Sequence, residues 1–132
     1  MTSSARRISL FLFALAVVAA CATKPVETGI LHGQVSIGPL VPVVREGEPE
    51  PTAAPEVYAA RQIVIYKADG RTEVTRIAID PNGAYSVTLP VGTYVVDINR
   101  AGIDSANGLP RPIELRAGES LELDIEIDTG IR

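Results

Sequence analysis

Apolar residues beyond residue 30 recur at every second position, which is the period of a β-strand that buries one face. The clearest case is Leu121, Leu123, Ile125 and Ile127, which alternate with four acidic residues, so that aliphatic side chains and carboxylates fall on opposite faces. Six other segments have the same extended character: residues 31–37, 62–67, 73–79, 84–89, 93–99 and 113–116. The pattern predicts seven short strands and no helix longer than one turn after residue 20.

Turn-forming residues separate these segments. Glycine marks five of the gaps, at Gly70, Gly83, Gly92, Gly108 and Gly118, and glycine reaches the positive φ that tight turns require. Short strands with turns at this spacing predict an all-β fold. We expect a seven-stranded antiparallel Greek-key sandwich of the prealbumin or immunoglobulin-like kind, after an N-terminal signal helix.

A proline-rich connection, residues 38–60, interrupts the spacing. It contains five of the ten prolines and four glutamates, and loops of this length are usually either functional or disordered. One interpretation is a structural crossover between two sheets. The other is a partner-binding loop in which Tyr58 is the anchor and Pro42, Pro49 and Pro51 are contacts.

The N-terminal segment has the order of a secretory signal peptide. Arg6 and Arg7 precede an apolar run over residues 8–20, which ends in small residues. A membrane-spanning helix needs about 20 apolar residues, and this run is shorter. We therefore assign residues 1–20 to a signal peptide, and a plain signal cleaved near Ala20 remains an alternative to a lipoprotein signal.

The only cysteine, Cys21, follows this run directly. The sequence Val18-Ala19-Ala20-Cys21 resembles the lipobox of bacterial lipoproteins, in which the cysteine receives a diacylglycerol and becomes the first residue of the mature protein. The resemblance implies that a lipid on Cys21 makes the membrane a partner, with residues 21–29 as a tether of at most about 30 Å. Ala22 follows the cysteine in place of an aspartate, which implies sorting to the outer membrane if the organism is diderm.

The charge balance excludes one class of partner. The chain carries a net charge of −4, and loss of Arg6 and Arg7 with the signal leaves ten basic against sixteen acidic residues, a net charge of −6. Binding to nucleic acid depends on Lys and Arg at phosphates. We therefore expect no nucleic-acid partner.

The residues that catalysis or metal binding would need are sparse. His32 is the only histidine, which leaves no pair of nucleophile and base and no set of three or four zinc ligands. Asp80 and Asn82 resemble the start of a calcium loop, but an Asx turn explains them more simply. We expect no enzymatic activity, no cofactor and no metal.

We interpret the acidic row of the last strand as a solvated face, paired with Arg100, Arg111 or Arg116 on neighbouring strands.

Residues 80–94, Asp-Pro-Asn-Gly-Ala-Tyr-Ser-Val-Thr-Leu-Pro-Val-Gly-Thr-Tyr, form a recognisable motif. It resembles the signature of carboxypeptidase regulatory-like domains, the transthyretin-related β-sandwiches that also occur as collagen-adhesin B-type repeats. The resemblance covers residues 30–132 and implies a sandwich in which Tyr85 and Tyr94 point inward.

Together these features predict a non-enzymatic, lipid-anchored β-sandwich of the bacterial cell envelope. We expect a structural or protein-interaction module with an envelope protein as partner. The alternative is a binding module for an envelope glycan or a cell-wall peptide, which a face presenting Tyr58 and Tyr66 together would favour.

Overall fold

A computed structural model of the protein describes residues 21–100 and 102–132. The predicted signal peptide, residues 1–20, lies outside the described residues. Residues 21–27 are exposed and have no regular secondary structure, and the first strand begins at Thr28. The predicted tether therefore ends two residues earlier than residue 29.

The described residues form nine strands and one short helix. In chain order these are β1 Thr28–Gly38, α1 Pro55–Ala59, β2 Gln62–Lys67, β3 Glu73–Ala78, β4 Ala84–Pro90, β5 Gly92–Ile98, β6 Ser105–Ala106, β7 Arg111–Leu115, β8 Ser120–Glu122 and β9 Ile125–Asp128.

The strands lie in two sheets that pack on each other. The five-stranded sheet has the order β4-β1-β9-β6, with β8 also paired to β1, and the four-stranded sheet has the order β3-β2-β5-β7. This arrangement confirms the predicted all-β sandwich. The strand number is nine, not seven, because β6 is only two residues long and because the last predicted strand is divided into β8 and β9.

The first strand is the centre of the five-stranded sheet. Residues 28–34 pair with β4 in the antiparallel sense, whereas β8 and β9 both run parallel to β1. The sheet is therefore mixed, in contrast to the antiparallel sheet that we expected, because the end of the chain returns beside its beginning in the same direction.

The division between β8 and β9 has a local cause. At this point the Leu123 N–H donates to the His32 carbonyl at 2.8 Å, and the Gln34 N–H donates to the Asp124 side chain at 2.8 Å. Gly33 allows the close approach, since a Cβ there would lie 2.1 Å from the Leu123 carbonyl oxygen. The Asp124 side chain thus takes the place of one backbone acceptor in the ladder. The alternation of buried and exposed residues continues from β8 into β9.

The core between the sheets is aliphatic, as the composition requires. Complete burial of such a side chain contributes about 1.5–3 kcal/mol. Tyr85 and Tyr94 are also buried, which agrees with the inward placement that the motif implies, and each hydroxyl donates to a backbone carbonyl, of Leu123 and Pro90 respectively. The largest fully buried side chains are Leu31, Ile63, Ile65, Leu115, Ile127, Val64 and Val96.

The proline-rich connection contains the only helix of the described residues. Residues 39–54 are irregular, and α1 follows with Pro55 in its first turn, where the missing N–H costs no hydrogen bond. The sequence pattern does not predict this helix, because five residues are too few to show a helical period.

Candidate functional site

A groove lies beside the second half of β1 on the described surface. Its volume is about 470 Å³, and its walls come from β1, β9, residues 50–53 and Tyr58. A second depression of about 520 Å³ continues from it towards Gln34, Asn82 and Asp124. Glu126 lines both, so the two form one continuous surface, which we call the acidic groove.

The groove exists because β4 is shorter than β1. The pairing of the two strands ends at Gln34 and Ala84, and the Val35 N–H then donates to the Gly83 carbonyl at 2.7 Å. Beyond this point no strand of the described residues pairs with that edge of β1. Backbone groups alternate in direction along a strand, so the N–H and C=O of Ile37 face the same open edge as those of Val35.

Three carboxylates border the end of β1. Glu126 and Asp128 of β9 are the register partners of Ser36 and Gly38. Glu50 reaches the same place from the loop, since a Cβ on Gly38 would lie 3.0 Å from its Oε1 atom. Gly38 therefore leaves space between acidic groups that come from two distant segments.

The predicted pairing of this acidic row is wrong. Arg100 pairs with Asp97 at 3.0 Å and Arg116 pairs with Glu114 at 3.3 Å, both away from the row. The strands of the five-stranded sheet contain no Lys or Arg, which is why no neighbour supplies a cation. Arg111 makes no ion pair with any residue in the described ranges.

One carboxylate of the row has a basic partner. Arg132 donates to Asp128 with an Nη2–Oδ2 distance of 2.8 Å. This hydrogen bond, together with the Gly130 N–H, lowers the pKa of Asp128 to about 2. Within residues 21–100 and 102–132, Glu50, Glu122, Asp124 and Glu126 form no salt bridge, so they remain available to an external cation.

Tyr58, the predicted anchor of the partner-binding loop, is a buried residue. Its side chain is 7% exposed, and its ring packs against the β3–β4 turn, where a Cβ on Gly83 would lie 3.1 Å from it. The hydroxyl has no hydrogen-bond partner in the described part of the chain. No buried side-chain polar atom there lacks a partner, so the hydroxyl must reach the solvent of the groove that Tyr58 lines.

The other predicted contacts divide between the groove and the open surface. Pro51 lines the groove. Pro42 and Pro49 are exposed and do not border it. Tyr66 lies on the four-stranded sheet, and it faces outward because its strand neighbours Ile63 and Ile65 belong to the core. Tyr58 and Tyr66 therefore do not form one stacking surface.

Asp80 acts in a turn, as the simpler interpretation predicts. Its Oδ1 atom accepts the N–H groups of Asn82 at 2.8 Å and Ala84 at 2.9 Å.

His32 is half-buried on β1. The described residues contain no cluster of three His, Cys, Asp or Glu side chains arranged to hold a metal ion.

Cys21 is exposed at the start of the described residues. Six irregular residues separate it from β1. Within the same described ranges, no helix has the length and apolar character that crossing a membrane would take.

Comparisons with known proteins identify the fold and no family. No family model matches the chain, and no curated protein matches it. Among solved structures, a DUF3823 family protein from Parabacteroides merdae is similar with a TM-score of 0.51 and 17% identity over 78% of this chain and 47% of that one. The minor pilin GBS52 of Streptococcus agalactiae gives a TM-score of 0.51 and 15% identity, over 77% and 44% of the two chains.

The Bacillus anthracis TIE protein has a TM-score of 0.52 and 17% identity over 78% of this chain and 17% of its own. The chain thus spans less than half the length of each of these three proteins. At such identities the similarity establishes a shared β-sandwich fold.

Proposed function

We propose that this chain is a non-enzymatic β-sandwich of the carboxypeptidase regulatory-like type, anchored by a lipid on Cys21 and acting as a structural or protein-interaction module of the bacterial cell envelope. In a diderm organism its location would be the outer membrane. The observation that carries the proposal is an exposed cysteine separated by six residues from the first strand of a folded sandwich.

The structural neighbours support a structural or adhesive module. The chain shares its fold with a minor pilin and with a DUF3823 family protein. The motif residues support a non-enzymatic function, because Asp80, Tyr85 and Tyr94 all bind backbone groups of the fold itself.

A binding module for an envelope glycan or a cell-wall peptide is the second candidate. The acidic groove supports it, since the groove has the size of a ligand site. A glycan is the weaker ligand of the two, because the separated Tyr58 and Tyr66 offer no common face for a sugar ring.

Membrane fractionation of the Cys21→Ser variant tests the lipid anchor. Two or more acyl chains hold a protein durably on a membrane, so we expect the wild-type chain in the membrane fraction and the variant in the soluble fraction. The variant should keep the wild-type thermal unfolding midpoint, because Cys21 is exposed. Thr23→Ser is the matched control and should stay with the membrane. Membrane retention of Cys21→Ser would refute the anchor.

A further inference from the structure

We propose that the acidic groove binds an extended basic segment of a protein partner, with Lys or Arg at alternate positions facing Glu50, Glu126 and Asp128. This inference rests on the proposed interaction function and names its site and the chemistry of its partner. It does not depend on the lipid anchor.

The first support is charge without compensation. Glu126 makes no salt bridge with any described residue, and neither does Glu50 across the groove. The five-stranded sheet supplies no Lys or Arg from its strands. Like charges on one face repel each other, and a basic ligand removes this repulsion as it binds.

The second support is spacing. Residues two apart on a strand are separated by about 6.6 Å, so Glu126 and Asp128 present carboxylates at the repeat of a β-strand. An extended peptide places every second side chain at the same repeat. Arg132 shows that a guanidinium fits this row, because it already binds Asp128 at 2.8 Å, and a basic side chain of the ligand would take the place of this exposed arginine.

The third support is the open edge of β1. The N–H and C=O of Ile37 face the side where β4 has ended, and Ile37 lines the groove. A peptide that adds to an exposed strand edge gains main-chain hydrogen bonds there, while its side chains give specificity. A folded basic surface could not reach these backbone groups.

Tyr58 is a fourth feature, and it is independent of charge. Its side chain is more than nine-tenths buried and lines both parts of the groove, and its hydroxyl, which has no partner in the described ranges, is left to solvent there. A peptide backbone or side chain in the groove would bond this hydroxyl in place of solvent.

Other ligands fit these features less well. A divalent cation needs several oxygen ligands close together, and the described carboxylates form no such cluster. A phosphate-bearing ligand would be repelled by the acids. A basic peptide uses the carboxylates, the strand edge and the Tyr58 hydroxyl together.

The test uses the full chain, purified in detergent, and fluorescence anisotropy with labelled peptides. The probe is a peptide in which lysine and threonine alternate. One control peptide has the same composition with all lysines in one block, another carries glutamine in place of lysine, and spermine competes as a small cation. We expect the alternating peptide to bind at least about tenfold more tightly than the block peptide, and spermine to displace it weakly.

Variants of the protein locate the site. The double change Glu50→Gln and Glu126→Gln should weaken binding of the alternating peptide by about tenfold. The matched double change Glu73→Gln and Glu114→Gln, on the four-stranded sheet, should leave it unchanged. Tyr58→Phe should weaken binding several-fold, with thermal unfolding recorded in parallel to show that its ring still packs.

Three results would overturn the proposal: no binding of the alternating peptide, equal binding of the block peptide, or equal effects of the two double changes. Cross-linking to envelope proteins shows whether the acidic groove alone is wrong or whether the proposed interaction function is wrong as well. If the full chain captures a specific envelope protein and the capture survives Glu50→Gln with Glu126→Gln, the acidic groove is wrong and the interaction function stands.

Discussion

The two sheets share one aliphatic core, but the acids on their outer faces differ in whether an arginine pairs with them. On the four-stranded sheet the acids Glu73, Asp97 and Glu114 each pair with an arginine. On the five-stranded sheet the acids of β8 and β9 face outward, and only Asp128 has a partner among the described residues. The sheets therefore differ in surface chemistry although they follow the same packing rule.

The difference indicates that the unpaired acids on the five-stranded sheet contribute little to its stability. Exposed ion pairs contribute about 0–1 kcal/mol even where they form, and this sheet has few of them. Its stability comes from the position of β1, which pairs with three strands, and from the close approach of Gly33 to Leu123. A face that the fold does not need for stability is free to carry a binding function.

The largest expected effect comes from Gly33→Ala. Its Cβ would lie 2.1 Å from the Leu123 carbonyl oxygen, and backbone atoms of neighbouring strands cannot move apart without breaking the ladder. We expect a loss of about 3 kcal/mol in the free energy of unfolding, measured by urea denaturation.

Gly70→Ala on the four-stranded sheet is the control for this change. Gly70 has a φ of 67°, and the only atom near its Cβ position is Val95 Cγ2, at 3.9 Å. The change should therefore lower the free energy of unfolding by about 1 kcal/mol, through backbone strain alone. If both variants lost the same free energy of unfolding, the close approach of Gly33 to Leu123 would not be a special source of stability for the five-stranded sheet.

Tyr85→Phe should have an intermediate effect. The Tyr85 hydroxyl donates to the Leu123 carbonyl, and Leu123 is buried, so the change leaves an acceptor without water or partner and should cost about 1–2 kcal/mol. Tyr94→Phe frees the carbonyl of Pro90, which is exposed, and should cost about 0.5 kcal/mol because water replaces the hydroxyl. Urea denaturation of both variants measures the difference, and a reversed order would contradict it.

The smallest effect concerns the one paired acid of the five-stranded sheet. The hydrogen bond from Arg132, together with the Gly130 N–H, lowers the pKa of Asp128 from 3.8 to about 2. A lowered pKa means that the stability contributed by the ionised carboxylate is present above pH 4 and is lost as the pH falls towards 2. Arg132→Gln should raise the pKa of Asp128 most of the way back and remove this fall, as carbon-13 NMR titration would show.

Arg76→Gln is the corresponding control on the four-stranded sheet. Arg76 lowers the pKa of the Glu73 carboxyl through its side-chain hydrogen bond, so this variant should raise the pKa of Glu73 and leave that of Asp128 unchanged. A change in the pKa of Asp128 in the Arg76→Gln variant would show that charges on the two outer faces interact with each other.

Local pattern predicts most of the strands. The bounds of β2 agree with the extended segment predicted at residues 62–67, and β4 and β5 differ from prediction by one residue at their ends. The two-residue β6 and the division at Leu123 could not be predicted, because both depend on strands that are distant in sequence and meet only in the folded sheet.

The acidic groove is predictable only in part. The alternation of the last strand places its carboxylates on one face, and the proline-rich connection stands out by its length. The approach of Glu50 to Gly38 depends on the path of an irregular loop, which has no period to read. Tyr58 was predicted as the anchor of this connection, but the inward direction of its ring depends on the short helix α1, which the sequence pattern does not predict.

The position of β1 has a mechanical consequence. Residues 21–27 lead directly into this strand, and β4, β8 and β9 all lie alongside it. A pull on residues 21–27 along the strand axis would load many ladder hydrogen bonds together, in shear. They could not open one after another, as they would if the strand were peeled from an edge. The segment nearest the predicted anchor thus leads into a strand whose ladder hydrogen bonds with β4, β8 and β9 must break together.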